Sequence, residues 1–249
     1  LLLPRGKQYI PDPKLEVGWD KTLVISGNKS ICVLQKFPSS TPKGIIILAH
    51  PYLSAAKQFF LAEGHADLYT ALGCIVLVFD FNGFGESPFV NFNYAEDIKI
   101  VSDYIQSKQP EFQVFVHGIS FGASHTITCA TETIAFSKII IENCLDSNLS
   151  YYKKRNLRLH YLMLGLMKIF PKVNADHDYI KTASIISGDR AVLLIYNEDD
   201  DLTTTAMGKQ FLSSINVNVH LEIFKGKHLN AYKDNDYKYR KIIADFLAL

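Results

Sequence analysis

Apolar residues recur along this chain in short runs of strand length, and most runs are followed by a stretch whose apolar positions return every three to four residues. A parallel sheet produces this alternation, because each strand needs a crossover helix to return to the same edge and both faces of the sheet end up covered. The pattern predicts strands at 15–25, 30–37, 44–49, 74–79, 113–117, 138–142, 191–196 and 217–224. It predicts helices at 57–72, 94–107, 121–134, 204–214 and 235–247. No helix fits between the first two strands, so they read as an antiparallel hairpin at the sheet edge, turning at Gly27 and Asn28. The remaining strands read as parallel.

One connection is too long for a simple crossover: about fifty residues separate Glu142 from Ala191, about twice what such a crossover requires. Within this insertion, 145–190, the run LRLHYLMLGLMKIF at 157–170 precedes Pro171. It predicts one long helix and a shorter piece, and a helix apolar on nearly every side must be covered on more than one face. Otherwise the chain reads as one domain, 1–249, without internal repeats or low-complexity tracts.

Composition narrows the partners. The chain has 249 residues, 48% hydrophobic and 20% charged, with a formal charge of +1 and no blocks of one sign. That pattern gives neither a nucleic-acid footprint nor a polybasic membrane patch, and it makes a small molecule the expected partner. No run reaches the length of a membrane span. Cys32, Cys74, Cys129 and Cys144 lie far apart in apolar surroundings and read as buried thiols. A cytoplasmic location is the expectation, with removal of a preceding apolar segment as the alternative for a chain that opens LLLPRGK.

The sharpest chemical signal is Gly118-Ile119-Ser120-Phe121-Gly122, a G-x-S-x-G placed between a predicted strand and a predicted helix. A serine on so tight a turn has strained backbone angles, which are sterically tolerated only if the residues two before and two after are small. The turn lifts the Ser120 hydroxyl off the sheet edge and leaves the Phe121 amide at a helix N-terminus, where it can stabilise an oxyanion. A serine nucleophile needs a histidine base, and the base needs an acid to orient it. Two later strand ends offer them: Asp199, Asp200 and Asp201 after AVLLIY, and His228 after VHLEIF. Strand carboxyl ends are where open α/β sheets build their sites. The aspartates also fit a solvated acidic turn, and consecutive acids lack the spacing of a metal loop. The remaining histidines, including His50, His117 and His125, read as structural, and no metal site is expected.

From Gly44 to the C-terminus the chain resembles the α/β-hydrolase superfamily, in its esterase/lipase-like serine hydrolase branch. GIIILAHPYL resembles the family's oxyanion strand and loop, and Asp80-Phe81-Asn82-Gly83-Phe84-Gly85-Glu86-Ser87 resembles its D-x-R-G-x-G-x-S segment. The family's L-x-I-x-G-x-x-D falls on residues 193–200, with Asn197 where glycine is usual, and its G-x-H falls on Gly226-Lys227-His228. The resemblance implies a mostly parallel eight-stranded sheet with helices on both faces and a small helical cap, 145–190, inserted after the sixth strand. It implies Ser120, His228 and Asp200 as the triad, with Asp201 the second choice for the acid. It implies the Tyr52 amide as the oxyanion donor beside that of Phe121, because Pro51 replaces the usual glycine and has no N–H to give. Neither cofactor nor metal is expected.

Phe84, Leu162, Leu166 and Met167, together with Leu157, Phe170, Phe59, Phe60 and Phe121, are the expected lining of a pocket for an apolar acyl or aryl ester, the alternative being that they only pack the cap onto the core. An acyl thioesterase or acyltransferase would use the same triad, and a non-catalytic scaffold would keep only the fold.

Overall fold

The computed structural model describes residues 9–170 and 178–248; the expectations at Leu1–Leu3, Pro171 and His177 lie outside them. Eight strands form one sheet: β1 (Asp20–Ser26), β2 (Lys29–Lys36), β3 (Gly44–Ala49), β4 (Cys74–Phe79), β5 (Val114–Ile119), β6 (Phe136–Glu142), β7 (Ala191–Asn197) and β8 (Asn218–Phe224). Their order is β1-β2-β4-β3-β5-β6-β7-β8. β1 and β2 form the expected edge hairpin, turning at Gly27 with φ 58°, and β2 runs antiparallel to β4. Every other pairing is parallel.

All residues of β3, β4 and β5 are buried. Successive side chains point to opposite faces, so Ile45, Ile47 and Ala49 enter one apolar cluster while Ile46 and Leu48 enter the other. The first cluster is closed by α3 (Tyr94–Lys108), α4 (Phe121–Glu132) and α8 (Thr205–Ser214), through residues such as Ile98, Ile127 and Phe211. The second is closed by α1 (Gln58–Ala62), α2 (His65–Ala71) and α10 (Asp236–Leu247), which is preceded by the single turn α9 (Ala231–Asp234). Between β6 and β7 lie α5 (Asn148–Arg155), α6 (Leu157–Ile169) and α7 (Tyr179–Ala183). Ser147 and Asn156 cap α5 and α6 by accepting backbone N–H bonds from Ser150 and Leu159.

Three expectations need correction. The first strand begins at Asp20, because residues 13–18 form a turn that ends on Gly18 at φ 79°. The helix expected at 57–72 is two helices, broken where Gly64 takes φ 79°. The third concerns α6, expected to be covered on more than one face: Met163 is its one buried residue, while Leu157, Leu162 and Ile169 stand in the open.

Charge is also buried where the pattern gave no hint of it. The Lys57 side chain is fully enclosed, and its ammonium lies 2.7 Å from both Asp80 and Glu86. Lys29 is likewise enclosed and lies 2.6 Å from Asp97, which also accepts from the backbone and side-chain amides of Asn82. These pairs hold the glycine loop that follows β4. A Cβ at Gly85 would land on the Asp80 carboxylate, and the Ser87 hydroxyl closes the loop by donating to the Asp80 carbonyl at 2.8 Å.

Candidate active site

Ser120 lies between β5 and α4 with φ 54° and ψ −109°, a conformation that costs an L-residue about 1–3 kcal/mol. Two contacts enforce it. The Ser120 N–H donates to the Glu142 carbonyl on β6 at 2.8 Å, and the turn is packed so closely that Gly118 and Gly122 have no room for a side chain. A Cβ on Gly118 would sit 2.6 Å from the Gly122 carbonyl, and one on Gly122 would land on the carbonyl of Ala49 at the end of β3. The glycines of the motif are therefore required by the neighbouring backbone.

The structure brings Asp200 and His228 to this turn. Nδ1 of His228 lies 2.6 Å from Oδ2 of Asp200, and its Nε2 lies 3.0 Å from the Ser120 Oγ. Asp200 is buried. Its Oδ1 accepts the backbone N–H groups of Leu202 at 2.8 Å and Thr203 at 2.9 Å, while the Thr203 hydroxyl donates to Oδ2. Burial alone would raise the pKa of this carboxyl. The hydrogen bond and charge of His228, with the two Thr203 donors, outweigh that effect and hold it below its ordinary value. Asp201 is exposed and takes no part: its carbonyl accepts from the Lys154 ammonium.

The two loops that carry Asp200 and His228 are stitched together. Glu198 N–H donates to the Phe224 carbonyl at 2.8 Å and Asp199 N–H to the Gly226 carbonyl at 3.1 Å. Asn197, standing where the resemblance has glycine, donates its side-chain amide to the Lys227 carbonyl at 2.5 Å, one residue before the histidine.

Pro51 and its neighbours are fixed by His50. The buried ring donates from Nδ1 to the Pro51 carbonyl at 2.8 Å and accepts the Phe81 N–H on Nε2 at 3.2 Å. Accepting on Nε2 requires the neutral ring, and burial lowers its pKa to about 4. The Leu53 N–H also turns back to the Pro51 carbonyl, at 2.8 Å. Tyr52 thus projects from a tightly held turn, its ring 5.5 Å from that of Phe121. The Phe121 amide is the first of α4, where no carbonyl of the helix can reach it.

Ser120, His228, Tyr52 and Phe121 all border one cavity of about 900 Å³, roofed by residues of the insertion. Its wall differs from the expected one. Phe84, Leu162, Leu166 and Met167 do not line it. Phe84 is fully buried one layer behind, with its ring against Tyr52 and Phe121, and Leu162 and Leu166 point out of α6 towards solvent. Met163 is the α6 residue that enters, joined by Tyr94, Tyr151, Tyr152, Arg155 and Glu132. The sequence offered one usable signal for Met163, its position opposite the two cations Arg158 and Lys168 on the helix. Among the described residues, Cys32, Asp80 and Glu86 are the one group close enough to share a metal ion, and the Lys57 ammonium lies against both of its carboxylates.

No protein-family model and no curated protein matches the sequence. Solved structures do match. An esterase from Pyrococcus furiosus is similar with a TM-score of 0.77 at 15% identity, over 99% of this chain and 97% of that one. An alpha-beta serine hydrolase homologue from Coxiella burnetii follows at 0.66 and 16%, over 91% and 96%. A proline iminopeptidase from Mycobacterium smegmatis gives 0.68 and 16%, over 92% and 98%. At such identities the likeness is one of architecture. With the strand order and the sharp strand-to-helix turn at Ser120, it establishes that the chain has the α/β-hydrolase fold.

Proposed function

We propose that this chain is a serine hydrolase that cleaves carboxylic esters of apolar acyl or aryl groups through an acyl-enzyme. The reading rests on the unbroken hydrogen-bond chain from Asp200 through His228 to Ser120. His228 takes the Ser120 proton as the hydroxyl oxygen attacks the acyl carbon, and Asp200 stabilises the imidazolium that results. The amides of Phe121 and Tyr52 hold the developing oxyanion. His228 then gives the proton to the leaving alcohol, and water repeats the sequence on the acyl-enzyme.

In this reading residues 145–190 form a cap over the carboxyl edge of the sheet. The rings of Tyr94, Phe121, Tyr151 and Tyr152 with Met163 supply an apolar wall for the acyl or aryl group, and a cavity of about 900 Å³ suits a small or medium ester. Labelling with a fluorophosphonate, followed by mass spectrometry of the modified peptide, tests the proposal. Modification of Ser120 that disappears in Ser120→Ala is the expected result. Folded protein that takes no label, or takes it elsewhere, overturns it.

A further inference from the structure

We propose that the outward face of α6 docks the protein on an anionic lipid surface. This inference is independent of the hydrolase reading. At 100° per residue, positions 157, 158, 161, 162, 165, 168 and 169 share one side of the helix. Leu157, Tyr161, Leu162 and Ile169 on that side are 57–70% exposed. Gly165, in their midst, has nothing within 4 Å of an added Cβ, so no described residue covers the stripe. An open apolar surface of this kind marks an interaction site.

Charge selects the partner. Arg158 and Lys168 are exposed on the same side, and Lys153, Lys154 and Arg155 are exposed on the adjoining α5. Between Asp146 and Asp176 the sequence contains no acidic residue, although acids and bases nearly balance over the whole chain. A second copy related by a two-fold axis would bring together two faces that carry cations and no acid to pair with them, an arrangement that repels. A layer of anionic headgroups neutralises them instead. The leucines, the isoleucine and the tyrosine ring then reach the acyl boundary, while the arginine and lysine stems extend back towards the phosphates. No described helix is long and apolar enough to cross a membrane, so α6 lies on the surface. Met163 on its opposite side borders the cavity of Ser120, so docking would bring that cavity close to the lipid.

Co-sedimentation with vesicles of phosphatidylcholine mixed with phosphatidylglycerol, compared with phosphatidylcholine alone, tests the proposal. The expected result is binding to the anionic vesicles that weakens with salt, and little to the neutral ones. The double substitution Arg158→Gln with Lys168→Gln should weaken it about 25-fold, about fivefold for each cation. Leu162→Ser with Ile169→Ser should also weaken it, and circular dichroism checks that these surface variants remain folded. Absence of binding by folded protein, or undiminished binding by both variants, refutes the proposal. So does a dimer that Leu162→Ser with Ile169→Ser converts to monomer, since the face would then belong to a second copy.

Discussion

Replacing Asp200 by asparagine should cripple hydrolysis, and the hydrogen bonds around the side chain dictate how. Oδ1 faces two backbone N–H groups, those of Leu202 and Thr203, which cannot turn away. The asparagine carbonyl oxygen must therefore occupy that place, and its NH₂ must occupy the place of Oδ2, 2.6 Å from Nδ1 of His228. An amide donor there obliges Nδ1 to accept, which moves the ring proton to Nε2, the nitrogen 3.0 Å from the Ser120 Oγ. A protonated Nε2 cannot take the serine proton. A wrong-tautomer substitution of this kind lowers kcat about 10⁴-fold, roughly 5 kcal/mol. Asp201→Asn, at an exposed side chain, should stay within about twofold, a few tenths of a kcal/mol. Both are measured by release of p-nitrophenol from a short-chain ester, beside a thermal melt to confirm folding. Asp200→Asn within tenfold of the parent, or a larger loss in Asp201→Asn, would refute the assignment of the acid.

Gly122→Ala places a methyl group on the Ala49 carbonyl, a backbone atom that cannot give way, and should cost about 3 kcal/mol or more, lowering the thermal midpoint by roughly 6–12 °C. An unchanged melt would show that β3 can retreat. Tyr239→Phe removes the hydroxyl that donates at 2.6 Å to the fully buried Glu142 carboxylate, and should cost about 1–3 kcal/mol in urea denaturation with little change in slope. Acid should destabilise the fold through two buried histidines: burial lowers the pKa of His50 to about 4 and of His65 to about 3, from an ordinary 6.5. Because the folded values are depressed, this stability is fully present above pH 6.5 and declines as pH falls towards the folded values. His65→Phe should therefore flatten the loss between pH 6.5 and 4 by about 3 kcal/mol; an unchanged slope would mean that His65 is not held neutral.

The features legible in the sequence are those fixed by neighbours along the chain. Gly118 and Gly122 flank Ser120 because the strand-to-helix turn is a local steric problem, and local problems leave fixed spacings. The all-apolar strands β3 and β4, and β5 with His117 as its one polar side chain, announce a sheet covered on both sides. The direction of a side chain out of an apolar helix is written only faintly: LRLHYLMLGLMKIF has hydrophobic residues nearly all round, so the two cations Arg158 and Lys168 are the one local feature that separates Met163 from Leu162 as the residue entering the cavity. Polar wall residues such as Glu132 and Arg155 remain exposed and read as ordinary surface, because only the fold brings them to the rim of one cavity. Lys29 and Lys57 were hidden for the converse reason, since a lysine is enclosed only when carboxylates remote in sequence come to meet it. Thr203 carries no signal of its own, because its role exists only through contact with Asp200 and His228.

The enclosed Lys57 bears on how this chain can diverge. Removing its ammonium alone would strand Asp80 without a counter-charge, and removing the Asp80 carboxylate alone would leave the ammonium to Glu86 and strand the backbone N–H groups of Lys57 and Glu86 that the carboxylate accepts. Each single replacement costs about 3–5 kcal/mol, and a joint replacement escapes that cost only if it keeps an acceptor for those two N–H groups. With a total stability of about 5–15 kcal/mol, neither intermediate is readily passed. The two positions should therefore change together or stay fixed in descendants of this sequence, and a library that randomises both at once should recover folded solutions that saturation at either site alone misses.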